Sequence, residues 1–162
     1  RIADKLNHDN VAFILNVLGD GHQRKTYETW AKDHGLIEKV IFNGWIPKPE
    51  LKYFYKNAHI NILPSESEGW PKVLSEGMAY GVVPVASAVS SIPQILDQTK
   101  AGISIPPYDI DGFVEAIKML KNKPEVWGRY SKNSLIAAPE FTYEHYLLEV
   151  RQLFKSSWNI EL

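Results

Sequence analysis

Short apolar, β-branched runs alternate along this chain with longer amphipathic stretches, and that alternation limits the possible folds more than any other feature. The runs lie at residues 11–17, 40–43, 60–64, 83–86 and 103–105. Each is apolar almost throughout, as strands are when helices cover both faces of a parallel sheet. Residues 23–34, 49–57, 71–80 and 111–120 have the spacing of amphipathic helices. Gly19-Asp20-Gly21 and Asn43-Gly44 mark strand ends as tight turns. The order specifies an α/β fold, a Rossmann-like doubly wound parallel sheet.

The pattern changes near residue 122. Residues 124–134 and 143–158 read as consecutive helices with no strand between them, a helical extension over 123–162 behind a βα core over about 10–122. Asp109 or Asp111 can cap the helix before this extension, and Thr142 the last one. The 162 residues fit a single domain, with no repeat, low-complexity segment or internal linker. A net charge of -1 makes no case for nucleic acid or an anionic membrane surface. The absence of cysteine excludes disulfides, thiolate metal sites and a cysteine nucleophile. No run approaches the ~20 apolar residues of a spanning helix. The opening Arg1-Ile2-Ala3-Asp4-Lys5 has neither the composition of a signal peptide nor a starting Met. The expectation is a cytoplasmic domain that begins inside a longer protein.

In a doubly wound sheet, ligands sit beyond the carboxyl ends of the strands. The informative loop follows the third strand, at residues 64–71. Pro71 suits a first helical turn, where its missing N–H has no helical partner. The amides of Lys72 and Val73 then point out of the helix start, a favourable place for phosphate. Glu68 and Glu76 flank that start with seven residues between them. A carboxylate at Glu76 can accept both hydroxyls of a vicinal diol such as ribose, while Glu68 lies nearer whatever extends beyond the phosphates. Together these groups describe a nucleotide-sugar; a solvated acidic loop feeding an amphipathic helix is the plainer alternative.

The surroundings of the pair resemble a known family. Ser65-x-x-Glu68-Gly69-Trp70-Pro71, then Glu76-x-Met78-Ala79-x-Gly81, then Val83-Pro84-Val85-Ala86-Ser87 resemble the E-x7-E region of retaining GT-B glycosyltransferases, the glycosyl transferases group 1. Upstream, Leu18-Gly19-Asp20-Gly21 resembles the family's strand-to-helix turn, and Val40-Ile41-Phe42-Asn43-Gly44-Trp45-Ile46 resembles its V-x-F-x-G-x-V segment, followed by a helix like Glu50-Leu51-x-x-Phe54-Tyr55. Downstream, Ser90-Ser91-Ile92-Pro93-Gln94-Ile95 resembles G-G-I-P-E-I, and Ala101-Gly102-Ile103-Ser104-Ile105-Pro106 resembles T-G-x-L-V-P. The likeness runs collinearly over nearly all of residues 10–122.

The resemblance implies the C-terminal, donor-binding half of a GT-B fold that transfers a hexosyl group with retention to a glycan or lipid acceptor. Glu76 would hold the ribose, with the Val73 side chain beside it. Glu68 would lie by the transferred sugar and the reacting phosphate, in a donor-positioning and catalytic part. Gly69, Trp70, Pro71, Lys72 and Val73 would surround the diphosphate, and Gly44, Trp45 and Ile46 would border the base. Trp45 reads equally as a core or interface aromatic. No cofactor or metal is expected: Asp109-Ile110-Asp111 reads as a helix cap, and the five histidines lack ligand spacing, with His59 structural. The partners implied are a nucleotide-sugar and an N-terminal acceptor-binding domain.

The chain departs from the pattern in places. Gly77 stands where Ala is usual, Tyr80 is bulkier than the common residue, and Ser90-Ser91 replaces twin glycines, which would narrow that loop. The family's Gly-Arg turn and following Lys, which clamp the diphosphate, have no counterpart before Asn10; Arg1 and Lys5 fall in what reads as the first helix. The expectation is that the acceptor domain and first strand lie outside these residues and that this portion alone is inactive. A GT-B-shaped nucleotide-sugar epimerase would share the cleft without the full E-x7-E surroundings. A non-catalytic flavodoxin-like module would explain the βα pattern but not the joint placement of Glu68, Pro71 and Glu76.

Overall fold

The computed structural model describes residues 1–161. The chain runs α1 (Ile2–His8), β1 (Leu15–Leu18), α2 (Arg24–Asp33), β2 (Val40–Gly44), α3 (Lys48–Asn57), β3 (Ile60–Leu63) and α4 (Lys72–Met78). It continues through β4 (Val83–Ser87), α5 (Ile92–Thr99), β5 (Ile103–Ile105), α6 (Ile110–Asn122) and α7 (Pro124–Ala137). A 3₁₀ turn at Ala138–Phe141 leads into α8 (Tyr143–Trp158). The α/β Rossmann-like expectation and the helical extension are both present.

β4 is the centre of the larger sheet, hydrogen-bonded in parallel to β3 on one side and β5 on the other. All five of its residues are buried, which explains its unbroken apolarity. Its side chains alternate between two layers of helix. Val83 and Val85 meet Phe113, Ala116 and Leu120 of α6, while Ala86 meets Leu74 of α4 and Ile92 and Leu96 of α5. Each fully buried Val, Leu or Phe contributes about 1.5–3 kcal/mol, so this sandwich is the main source of stability.

The parallel strands fall into two hydrogen-bonded sheets, β1-β2 and β3-β4-β5, and not one continuous sheet. β1 and β3 each have a ladder on one side only. What joins the two sheets is side-chain packing. Leu6 of α1 and Val114 and Ile117 of α6 form a cluster that receives Val11 and Phe13 ahead of β1 and Ile60 and Ile62 of β3. Polar contacts tie α1 to the same place: Lys5 pairs with Asp111, Lys118 Nζ reaches Asp9 at 3.1 Å, and Lys121 Nζ donates to the Ala12 carbonyl at 2.8 Å.

Two elements differ from expectation. The first strand starts at Leu15 and not at residue 11, because the ladder with β2 begins at Leu15 opposite Val40. Val11 and Phe13 serve packing alone. The segment after β4, to which the sequence pattern assigns no element, contains α5, whose Ile92 and Leu96 are buried. Both expected caps form: the Asp109 carboxylate accepts from the Gly112 amide at 2.8 Å, and the Thr142 hydroxyl accepts from His145 N–H at 3.2 Å. Asp111, the other cap candidate, pairs with Lys5 instead.

Candidate functional site

Parallel strands deliver their following loops to one edge, so the loops after β3, β4 and β5 adjoin. They are stitched there by Ser91 Oγ donating to the Gly69 carbonyl at 3.1 Å and by Ala88 N–H donating to the Ile105 carbonyl at 2.6 Å. The β1-β2 sheet closes similarly, with Gly19 N–H on the Gly44 carbonyl at 2.7 Å. Lys48, at the start of α3 just past β2, lies 3.9 Å from Glu76 in α4. The carboxyl ends of both sheets therefore open on the same side.

Glu76 sits on the fifth residue of α4, half-buried and turned toward α3, not toward outer solvent. Its Oε2 accepts from the Tyr55 hydroxyl at 3.3 Å, and Lys48 lies beyond its other oxygen. Burial, then the neighbouring carboxylate, pushes the Tyr55 hydroxyl up to about 12 from its usual 10.0. The phenol therefore stays a proton donor at neutral pH. Glu68 is half-buried in the loop ahead of α4. Pro71 precedes the first helical residue and is itself buried, and the side chains of Lys72 and Val73 are exposed. The Leu74 amide closes onto the Pro71 carbonyl at 3.0 Å. The Lys72 and Val73 amides, one turn too early to have helical acceptors, face the loop.

Gly44, Trp45 and Ile46 lie at the carboxyl end of β2, just ahead of α3. Gly44 is buried with a left-handed φ of 70°, and a Cβ there would lie 2.7 Å from Arg24 Nη1. Arg24 is tied down by Glu28 at 2.7 Å, Asp20 at 3.4 Å and the Phe42 carbonyl at 3.0 Å, so it braces the turn. Trp45 is 74% exposed, which removes the core reading of this residue. Trp70 behaves in the opposite way. Expected among the donor contacts, its ring instead stacks on Phe141 at 4.7 Å and packs against the clusters around Leu74 and Met78. The apolar face of the indole found a core, and its backbone is what remains at the edge.

His59 accepts Trp127 Nε1–H on its carbonyl at 3.0 Å and packs its ring against the same tryptophan, a structural arrangement at the opposite edge. A cavity of about 320 Å³ lies beside it, lined by Lys56, Tyr80, Gly81 and Ser131 among others, and none of Glu68, Lys72, Val73 and Glu76 lines it. No helix among the described residues is long and apolar enough to cross a membrane.

The family model of glycosyl transferases group 1 matches residues 1–135, most of the chain and all the loops just described. The chain belongs to that family. A putative colanic acid biosynthesis glycosyltransferase of Escherichia coli is 31% identical over 111 residues, 65% of this chain and 27% of that protein. An uncharacterized glycosyltransferase of Haemophilus influenzae is 27% identical over 137 residues, 83% of this chain and 38% of that protein. Among solved structures, sucrose-phosphate synthase from Thermosynechococcus elongatus superposes with a TM-score of 0.79 at 24% identity, over 98% of this chain and 42% of that one. Anabaena HepE in complex with UDP gives 0.79 at 15% identity, over 89% of this chain and 41% of that one. This group 1 glycosyltransferase chain thus spans well under half the length of these relatives.

Family membership rests on collinear motifs that sequence reading detects. Tyr55 reads only as part of the helix expected over 49–57, and Lys48 lies just ahead of that helix; neither reading gives the contact with Glu76 that the structure shows.

Proposed function

We propose that this chain is the donor-binding half of a retaining glycosyltransferase that takes a nucleoside diphosphate-sugar at the carboxyl edge. The observation that carries this reading is Glu76, turned from α4 toward Tyr55 and Lys48 of α3, the helix that follows the Gly44–Trp45–Ile46 loop. A carboxylate there offers two acceptor oxygens to a ribose diol, with the exposed Trp45 and the half-buried Ile46 along the base. The diphosphate lies at the Lys72 and Val73 amides, where partial positive charge favours the growing anion without a metal. The loop Gly69–Pro71, through its backbone, walls that position, and Glu68 in the same loop lies by the transferred sugar.

The chemistry asked of these residues is electrostatic. As the glycosyl–phosphate bond breaks, its electron pair goes to the diphosphate oxygen while the sugar becomes cationic. Amides at the helix start oppose the first charge, and Glu68 the second. The acceptor, a glycan or lipid hydroxyl, is supplied against a second domain, in keeping with relatives more than twice as long. Neighbours of the same fold are described in complex with UDP and with UDP-glucose, which makes uridine compounds the first probes.

The test is calorimetric titration with UDP-glucose and with free glucose. The chain should bind UDP-glucose and ignore glucose, and Glu76→Ala should weaken the binding by about 1.5–3 kcal/mol, or roughly ten- to a hundredfold. Equal affinity for both ligands, or an unchanged Glu76→Ala variant across UDP-, GDP- and ADP-sugars, would remove the donor assignment.

A further inference from the structure

A carboxylate that must accept two hydroxyls at once needs a fixed plane, and α4 alone does not supply one. Glu76 has side-chain freedom, and its carboxyl group rotates about its last bond with little cost. Two neighbours could restrain it. Lys48 lies 3.9 Å away with its side chain 86% exposed, a loose pairing of the kind that water and salt screen readily. Tyr55 is the opposite case. It is 8% exposed, its ring stacks on Tyr80 with centroids 5.8 Å apart and planes 18° apart, and its hydroxyl has nowhere else to go.

Gly77 of α4 lies against that ring. A Cβ there would meet the Tyr55 ring at 3.6 Å, an ordinary contact, and would press on Asn61 Nδ2 at 3.1 Å. Asn61 in turn donates to the Val73 carbonyl at 2.8 Å, fixing the first turn of α4 to β3. Gly77, Tyr55 and Tyr80 thus form one packed unit beside Glu76.

We propose that Tyr55 is a positioning residue whose hydroxyl holds the Glu76 carboxylate in the orientation that accepts both ribose hydroxyls of the donor. This rests on the donor-site reading above and adds a residue to it. The 3.3 Å separation is long for an O–H···O bond, so the contribution is orientation and not raw strength. The bond engages Oε2 from the α3 side and leaves the outward lone pairs of both oxygens for the diol. Because the phenol keeps its proton well past neutral pH, it donates and never repels the carboxylate.

The experiment measures binding of UDP, GDP and ADP to the chain, then takes the tightest and its 2′,3′-dideoxy counterpart. Tyr55→Phe preserves the stack on Tyr80 and removes only the hydroxyl. It should weaken the ribose form about three- to tenfold, leave the dideoxy form unchanged, and add nothing in a Glu76→Ala background. Equal weakening of both forms, or a loss that persists in the Glu76→Ala background, makes Tyr55 merely structural and overturns the proposal. So does an unchanged Tyr55→Phe variant. If Lys48→Ala erodes the ribose preference and Tyr55→Phe does not, the cation is the orienting group and the proposal fails. A wild-type chain that binds none of the three diphosphates overturns the donor-site reading itself, which separates that failure from the failure of Tyr55.

Discussion

Gly102 has no side chain because β4 leaves it no room. A Cβ there would lie 2.5 Å from the Pro84 carbonyl oxygen and 3.0 Å from the Pro84 Cβ, inside the best-packed part of the molecule. Backbone cannot swing aside as a lysine tip can, so Gly102→Ala forces β4 and β5 apart. The expected cost is about 1–3 kcal/mol, read as a lower urea midpoint with an unchanged slope. A midpoint within error of the wild type would mean the strands yield freely. Ser90 shows a related departure: it holds a left-handed φ of 52° at a place the family resemblance gives to glycine, a conformation that disfavours residues with a Cβ. Glu76 was legible from the strand, the loop and Pro71, because those set the helix start and hence the direction of its fifth residue. Trp70 was not, since a loop's composition does not say which of its side chains turns inward. The bond from Tyr55 to Glu76 was invisible for another reason: the two lie 21 residues apart on different helices, beyond any local periodicity.

Caps were the most readable elements, and they differ in what they hold. Asp109 starts α6, which buries Phe113, Val114, Ala116, Ile117 and Leu120. Thr142 starts α8, which buries none of its sixteen residues. Losing a cap costs about 1 kcal/mol of helix stability in either case, but the global fold registers it only where the helix carries core. Asp109→Ala should therefore lower the urea midpoint by about 0.3–1 M, that cost divided by a slope of about 1–3 kcal/mol/M, while Thr142→Ala should reduce far-UV helical signal and leave the midpoint in place. Equal midpoint shifts in the two variants would show that α8 is bound into the cooperative unit. α5 escaped the sequence reading because a helix of eight residues beginning Ile92-Pro93 offers two turns of pattern and no capping side chain. β1 was read too long because Val11 and Phe13 have a strand's composition while doing a packing residue's job.

At the scale of the whole chain, the order of elements predicts the architecture but not the division of the sheet. Strand identity comes from local pattern; which edges pair depends on what else is present beside them, and β1 and β3 share only the α1–α6 cluster. The β1-β2 portion should therefore open without the rest. Native-state hydrogen exchange should give β1 and β2 amides a lower opening free energy than β4 amides, whose strand is paired on both sides. One common value would mean that side-chain packing alone makes a single unit. The unpaired edges matter outside the molecule as well. Each leaves one side of its strand without a ladder, and a net charge of -1 gives copies of this protein little mutual repulsion. Its colloidal behaviour in water should be set by concentration before heat, with light scattering that climbs with protein concentration while the core is still folded, and a flat trace would show that both edges are already shielded.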